Sequence, residues 1–103
     1  MKNILVVDDD TRLRNLLQRF LRENSYLVST AKDADEARFM MQQYKFNLLI
    51  VDIMMPKESG LDFLTKLRTE SVNIGKGTIE DLDVFVVAEN TNNVYYLKGV
   101  EYR

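Results

Sequence analysis

Leu48-Leu49-Ile50-Val51-Asp52-Ile53-Met54-Met55-Pro56 sets an apolar, β-branched run directly before a carboxylate and closes it with a proline. So short a run of that composition reads as a buried strand of a parallel sheet, whose two covered faces remove the need for polar alternation. The carboxyl ends of such strands are where open α/β sheets place their ligands. Asp52 stands at that end. A second run, Asn3-Ile4-Leu5-Val6-Val7, finishes in the same way, in Asp8-Asp9-Asp10. Two carboxylate-tipped strands in one short chain pose the functional question.

Between them the pattern changes period. Leu13, Leu16, Leu17, Phe20 and Leu21 recur at helical spacing across residues 12 to 23, and Asp10 or Thr11 can cap that helix by accepting early amide protons. Tyr26-Leu27-Val28-Ser29-Thr30-Ala31 reads as a strand near the sheet edge, because polar residues are mixed into it. Asp33 with Glu36 three residues later gives a start like a capping box for a helix carrying Ala34, Ala37, Met40, Met41 and Tyr44. After Pro56, Gly60 relieves a tight turn or a close backbone approach. Leu61, Leu64 and Leu67, with Phe63 beside them, form a third helix to about Arg68. This βαβαβα order implies a parallel sheet covered on both faces through right-handed crossovers.

The rhythm then breaks. Residues 69 to 81 hold Gly75 and Gly77 and no strong period. Asp83-Val84-Phe85-Val86-Val87-Ala88 is a strand, Glu89-Asn90-Thr91-Asn92-Asn93 a turn-forming cluster, and Val94-Tyr95-Tyr96-Leu97 another strand. A join that short is too brief for a crossover helix and predicts an antiparallel hairpin or a bent continuation. The expected fold is therefore α/β: a parallel sheet with helices on both faces, ending in an atypical C-terminal pair of strands and no final helix. The expected organisation is one domain over 1–103, regular over 1–70 and strand-rich and atypical over 71–103.

With 103 residues the chain can build a single core. A net charge of -2 gives no support to nucleic-acid binding by this chain alone. There is no cysteine and no histidine, which excludes disulfides, thiolate chemistry, imidazole acid–base catalysis and the usual zinc sites. Any metal must be held by oxygen, which favours Mg²⁺, Ca²⁺ or Mn²⁺. Met1-Lys2-Asn3 leads straight into a strand, unlike a signal peptide, and no apolar run approaches membrane-spanning length. A cytoplasmic protein without a membrane partner is expected.

Asp8, Asp9 and Asp52 lie at the carboxyl ends of strands that are plausible neighbours. Carboxylates converging there repel one another unless a cation or buried donors intervene, and Mg²⁺ is the simplest remedy. Such a cluster suits phosphoryl chemistry, and a carboxylate can itself be the nucleophile, giving an aspartyl phosphate. The plainer reading keeps Asp10 as a helix cap and lets Asp8 and Asp9 form a turn. Asp52, at the tip of the most apolar strand, is the hardest to treat that way. Lys98 could hold a phosphoryl oxygen or simply be solvated, and the pairs Met40-Met41 and Met54-Met55 read as packing residues.

With these residues in place, the sequence resembles the receiver domain of two-component response regulators. The likeness rests on Ile4-Leu5-Val6-Val7-Asp8-Asp9-Asp10, on Leu48 to Pro56, and on Gly60 before an amphipathic helix, and it covers about residues 2 to 70. It implies a receiver-like (flavodoxin-like) fold. It also implies that Asp52 accepts a phosphoryl group from a sensor histidine kinase, with Mg²⁺ held by Asp8, Asp9, Asp52 and the backbone carbonyl of Met54. The family further has a Thr or Ser ending strand four and a Lys ending strand five. Here Ala88 stands where the hydroxyl would be, Thr91 is a late substitute, and an insertion around Ile74 to Thr78 lengthens the spacing from Asp52. Lys98 falls one residue early for the phosphate-contacting lysine, and Gly99 replaces the proline after it.

The expected function is a phosphoacceptor switch, not an enzyme beyond self-phosphorylation and slow dephosphorylation, and one that forms a dimer because a partly uncovered sheet face seeks a partner. One rival is a receiver-derived scaffold or dimerisation module that no longer switches, such as an engineered or truncated chimera. The other is a Mg²⁺-dependent phosphohydrolase with Asp52 as nucleophile, for which Glu58 and Glu89 are the available general acids.

Overall fold

Short apolar strands joined by amphipathic helices leave a chain little choice but to stack its strands in parallel between two helical layers. In the computed structural model, which describes residues 2–69, 82–87 and 94–98, the elements run β1 (Asn3–Val7), α1 (Thr11–Glu23), β2 (Leu27–Ala31), α2 (Ala34–Gln43), β3 (Leu48–Asp52), α3 (Gly60–Thr69), β4 (Asp83–Val87) and β5 (Val94–Lys98). They form a five-stranded sheet in the order β2-β1-β3-β4-β5. β1 pairs in parallel with β2 and β3, and β3 with β4, while β5 runs antiparallel to β4. β2 is an edge strand, as its mixed composition predicts.

Strand alternation sorts the core into two layers. Leu5, Val7, Leu49, Val51 and Val84 face one way, against Ala34, Ala37 and Met41 of α2 and Phe63, Leu64 and Leu67 of α3. Ile4, Val6 and Val28 face the other way, with Leu48 and Ile50 beside them and Leu17 and Leu21 of α1 above. Both faces of the sheet carry helices, and among the described residues the α1 layer is the thinner. No residue of α1 is fully buried, and Leu16 and Phe20 stay 56% and 57% exposed.

The helix starts follow from side-chain chemistry. Asp10 caps α1, its Oδ1 accepting from the amides of Arg12 at 2.9 Å and Leu13 at 3.2 Å. Asp33 caps α2 through the Glu36 amide at 2.8 Å, and Glu36 reaches back to the Lys32 amide at 3.0 Å, one residue before the cap where a strict capping box would take the cap's own amide. α1 ends in a Schellman arrangement, with the Tyr26 amide donating to the Leu21 carbonyl and the Ser25 amide to that of Arg22. Ser25 takes the left-handed position (φ 71°) that glycine usually fills.

The expected ending, an atypical C-terminal pair of strands with no final helix, is corrected. After β3 come a third helix and a fourth parallel strand, so β3-α3-β4 is a further βαβ unit. β4 pairs with β3 in continuous register from Leu48↔Asp83 to Asp52↔Val87. The physical reason is that a strand joins a parallel sheet through its own apolar residues. Leu82 and Val84 pack into the same layer as Leu49 and Phe63, whatever the periodicity of the segment that delivers them. Ala88, Thr91, Gly99 and the region around Ile74 to Thr78 lie outside the described residues.

Candidate functional site

Asp8 follows β1 directly, and its amide donates to the Ala31 carbonyl at 3.0 Å, extending the ladder with β2 by one rung. Asp52 is the last residue of β3. Because Val7 pairs with Val51, the two aspartates stand level on adjacent strands. The period-2 alternation of a strand also places them on one face, continuing the rows of Ile4 and Val6 and of Leu48 and Ile50. Both are buried, at 4% and 8% exposure, while Asp9 in the loop is exposed. One carboxylate oxygen from each of Asp8, Asp9 and Asp52 lies within 4.8 Å of the other two.

Burial and like charge act together on Asp8. Removal from water pushes its carboxyl above the ordinary value of 3.8, and the charges of Asp9 and Asp10 push the same way. The Asp10 amide, donating to Asp8 Oδ1 at 2.9 Å, and the positive charge of Arg14 oppose this without cancelling it. Arg14 also donates from Nη1 to the Asp8 backbone carbonyl at 2.6 Å and from Nη2 to Thr11 Oγ1 at 3.2 Å. On β3, the Met54 amide donates to Asp52 Oδ1 at 3.1 Å, which fixes the carboxylate against the loop beyond the strand. Gly60 is required at that loop's far end. A Cβ there would overlap the Asp52 carbonyl oxygen and lie 2.9 Å from Val51 Cγ1, and the Gly60 amide donates to the Ile53 carbonyl at 2.9 Å.

The donor set suits Mg²⁺. It is all oxygen, it carries more negative charge than burial tolerates without a cation, and its members are close enough to share an ion.

The other expected residues fall elsewhere. The contact considered for Lys98 depends on a final strand running parallel beside the central one. β5 instead lies antiparallel on the far side of β4, with Lys98 opposite Asp83. That rung lies at the amino end of β3, level with Leu48. Glu58 is drawn away from acid chemistry by Arg38, whose hydrogen bonds hold its carboxyl below the ordinary carboxylate value of 4.5, with Lys66 adding to the effect. An anionic Glu58 has no proton to give a leaving group, which removes one of the two acids available to a phosphohydrolase. Glu89, the other, lies outside the described residues. Met54 is exposed and Met55 buried, so the pair divides between loop and core.

Arg14 has no counterpart among the residues that the sequence singles out. A signal for it is present: no acidic residue occupies the first turn of α1. Arginine there runs against the helix dipole and points to a specific acceptor.

A parallel sheet with aspartates level at its carboxyl edge, and oxygen donors for a hard cation, defines a carboxylate-centred module for phosphoryl chemistry. The model of the response regulator receiver domain matches residues 4–102, running past the point near residue 70 where the likeness in the sequence ends. Protein PetR of Rhodobacter capsulatus is 47% identical over 68 residues, which cover 66% of this chain and 29% of that protein. Response regulator MprA of Mycobacterium tuberculosis is 39% identical over 84 residues, covering 82% of this chain and 33% of its own length. The Thermotoga maritima response regulator TrrA, solved in complex with Mg²⁺-BeF, superposes with a TM-score of 0.73 at 32% identity, over 88% of this chain and 72% of that one. The chain belongs to the response regulator receiver domain family. It is a phosphoacceptor module of two-component signalling, and it spans about a third or less of the length of these two sequence relatives.

Proposed function

We propose that Asp52 takes the phosphoryl group from a phosphohistidine of a sensor histidine kinase. The observation that carries this is the meeting of Asp52 with Asp8 and Asp9 within 4.8 Å at the carboxyl edge of the sheet. An Asp52 carboxylate oxygen attacks phosphorus as the P–N bond to the kinase imidazole breaks, and the electron pair of that bond stays on nitrogen. The product is an acyl phosphate on this chain. Attack of water at phosphorus later releases inorganic phosphate and restores the carboxylate, so the module turns over only its own side chain and is no enzyme in the usual sense.

Asp8, Asp9, Asp52 and the Met54 carbonyl would hold Mg²⁺, which when bound neutralises charge on the carboxylates and on the incoming phosphoryl oxygens. The chain supplies the rest. The Met54 amide on Oδ1 fixes the plane of the Asp52 carboxylate, and the Asp10 amide orients Asp8 in the same way. Preorganised donors of this kind cost no rearrangement when charge develops. That the similar TrrA was solved in complex with Mg²⁺-BeF supports Mg²⁺-dependent phosphoryl chemistry on this fold.

The proposal extends to the setting in which the module works. It comprises a sensor kinase as partner, a homodimer using exposed apolar residues such as Leu16 and Phe20, and a cytoplasmic location. Among the described residues no helix is long and apolar enough to cross a membrane.

Intact-mass spectrometry after incubation with a small phosphodonor and Mg²⁺, beside Asp52→Asn, tests the central claim. One phosphoryl adduct on the parent and none on the variant is the expected result. A folded parent that gains no adduct would leave the chain a scaffold with a receiver's shape.

A further inference from the structure

The segment between Asp52 and α3 carries both groups of Met54 that the site uses, and its conformation is not an easy one. Lys57 sits in the left-handed region (φ 69°), which is unfavourable for a residue with a Cβ. The segment is tied at its ends by Met54 to Asp52 and by Gly60 to Ile53. Its middle is tied to a different element. Arg38 of α2 forks onto Glu58, with Nη1 2.8 Å from Oε1 and Nη2 2.6 Å from Oε2, and its guanidinium lies 5.2 Å from the centre of the Phe63 ring. Phe63 is fully buried and the two charged side chains are largely covered, at 29% and 17% exposure. Paired, planar bonds between partly buried groups fix geometry in a way an exposed ion pair does not.

We propose that Arg38 is a positioning residue for the phosphoryl site: gripping Glu58 against Phe63, it sets the 53–59 segment and thereby aims the Met54 amide and carbonyl at the acidic cluster. The inference rests on the assignment of Asp52 as phosphoacceptor with Mg²⁺ beside it. Outer groups that orient a metal's ligands commonly matter tenfold or more for affinity.

Arg38→Gln and Glu58→Gln each break the fork, the second while keeping side-chain volume. Mg²⁺ binding by isothermal titration calorimetry, amide hydrogen exchange of residues 53–59 without metal, and the rate of adduct formation against Mg²⁺ concentration read the effect. Both variants are expected to raise the half-saturating Mg²⁺ threefold or more, to speed exchange in 53–59, and to approach the parent rate at saturating Mg²⁺. If Arg38→Gln does not fold by circular dichroism, Glu58→Gln, which keeps the volume but replaces one acceptor oxygen with an amide donor, decides the matter. Folded variants with a lower melting temperature but parental Mg²⁺ half-saturation would make the fork a structural staple and overturn the inference. A parent that binds no Mg²⁺ would overturn the reading of the site and this inference together. A parent that binds beside variants that match it would overturn the inference alone.

Discussion

Replacing Asp8 with Asn should stabilise the metal-free protein and weaken its response to Mg²⁺. Asp8 and Asp52 are buried acids whose oxygens lie within 4.8 Å. Dividing 332 by 4.8 Å and an effective dielectric of about 20 puts their repulsion at about 3.5 kcal/mol, and a water-like dielectric of about 80 lowers it to about 0.9. The Asn oxygen can still accept from the Asp10 amide, so most of that hydrogen bond survives. A gain of about 1–3 kcal/mol in chelator corresponds to a melting temperature higher by at least about 4 °C for a domain of this size. The pH dependence has a definite sign. Burial raises the Asp8 carboxyl above 3.8, so the native state holds its proton to higher pH than the unfolded chain. The contribution of Asp8 to stability is complete below 3.8 and is lost as pH rises through the raised value. Asp8→Asn should abolish that fall. With Mg²⁺ at a thousandfold excess over the parent's Kd the order should reverse, because the parent gains about 4.1 kcal/mol while the variant has lost a ligand. Thermal melts of both proteins in chelator and in Mg²⁺, at several pH values, provide the assay. A variant less stable than the parent in chelator, with an equal Mg²⁺ response, would refute the reasoning.

Two further outcomes are expected. Gly60→Ala should cost about 1–3 kcal/mol in chemical denaturation, because the added methyl meets the Asp52 carbonyl, which cannot yield without moving the acid itself; it should also slow adduct formation, and a variant with parental stability and rate would show that the loop adapts freely. Lys98→Ala should form the Asp52 adduct within twofold of the parental rate, since the register sets residue 98 level with Leu48, and a tenfold loss would place Lys98 in the site after all.

The parts of this fold legible in the sequence are those where one residue type answers one physical need. Buried parallel strands demand unbroken apolar runs, and Ile4 to Val7 and Leu48 to Val51 are such runs, fully or partly buried. Asp10 and Asp33 are capping residues before amphipathic stretches, and each caps. Gly60 sits where only a missing Cβ avoids the Asp52 carbonyl. The sequence locates β4, read over Asp83 to Ala88 and found over Asp83–Val87, but not its parallel pairing with β3, because the residues before it lack a helical repeat and its place in the sheet depends on its own apolar residues. The Arg38–Glu58 fork is out of reach for another reason. Its members are 20 residues apart and meet only because α2 and the loop after β3 share one face of the sheet. Such pairs leave no local pattern.

The acidic cluster and the core are products of the same register. Val7 opposite Val51 buries both valines under α2 and α3, and the next residue on each strand must then turn to the other face. That face is covered by α1 lower down, over Val6 and Ile50. At the level of Asp8 and Asp52 the helix is replaced by the turn and cap of Asp8 to Asp10, through which the chain leaves β1 before α1 begins. The two acids therefore sit at the rim of the helix layer, buried enough to repel one another strongly. A slip of one residue between β1 and β3 would turn Asp52 away from Asp8 and expose the valines. The packing energy of the core thus enforces the proximity on which the chemistry depends, and a destabilised core should loosen the metal site before it unfolds the sheet.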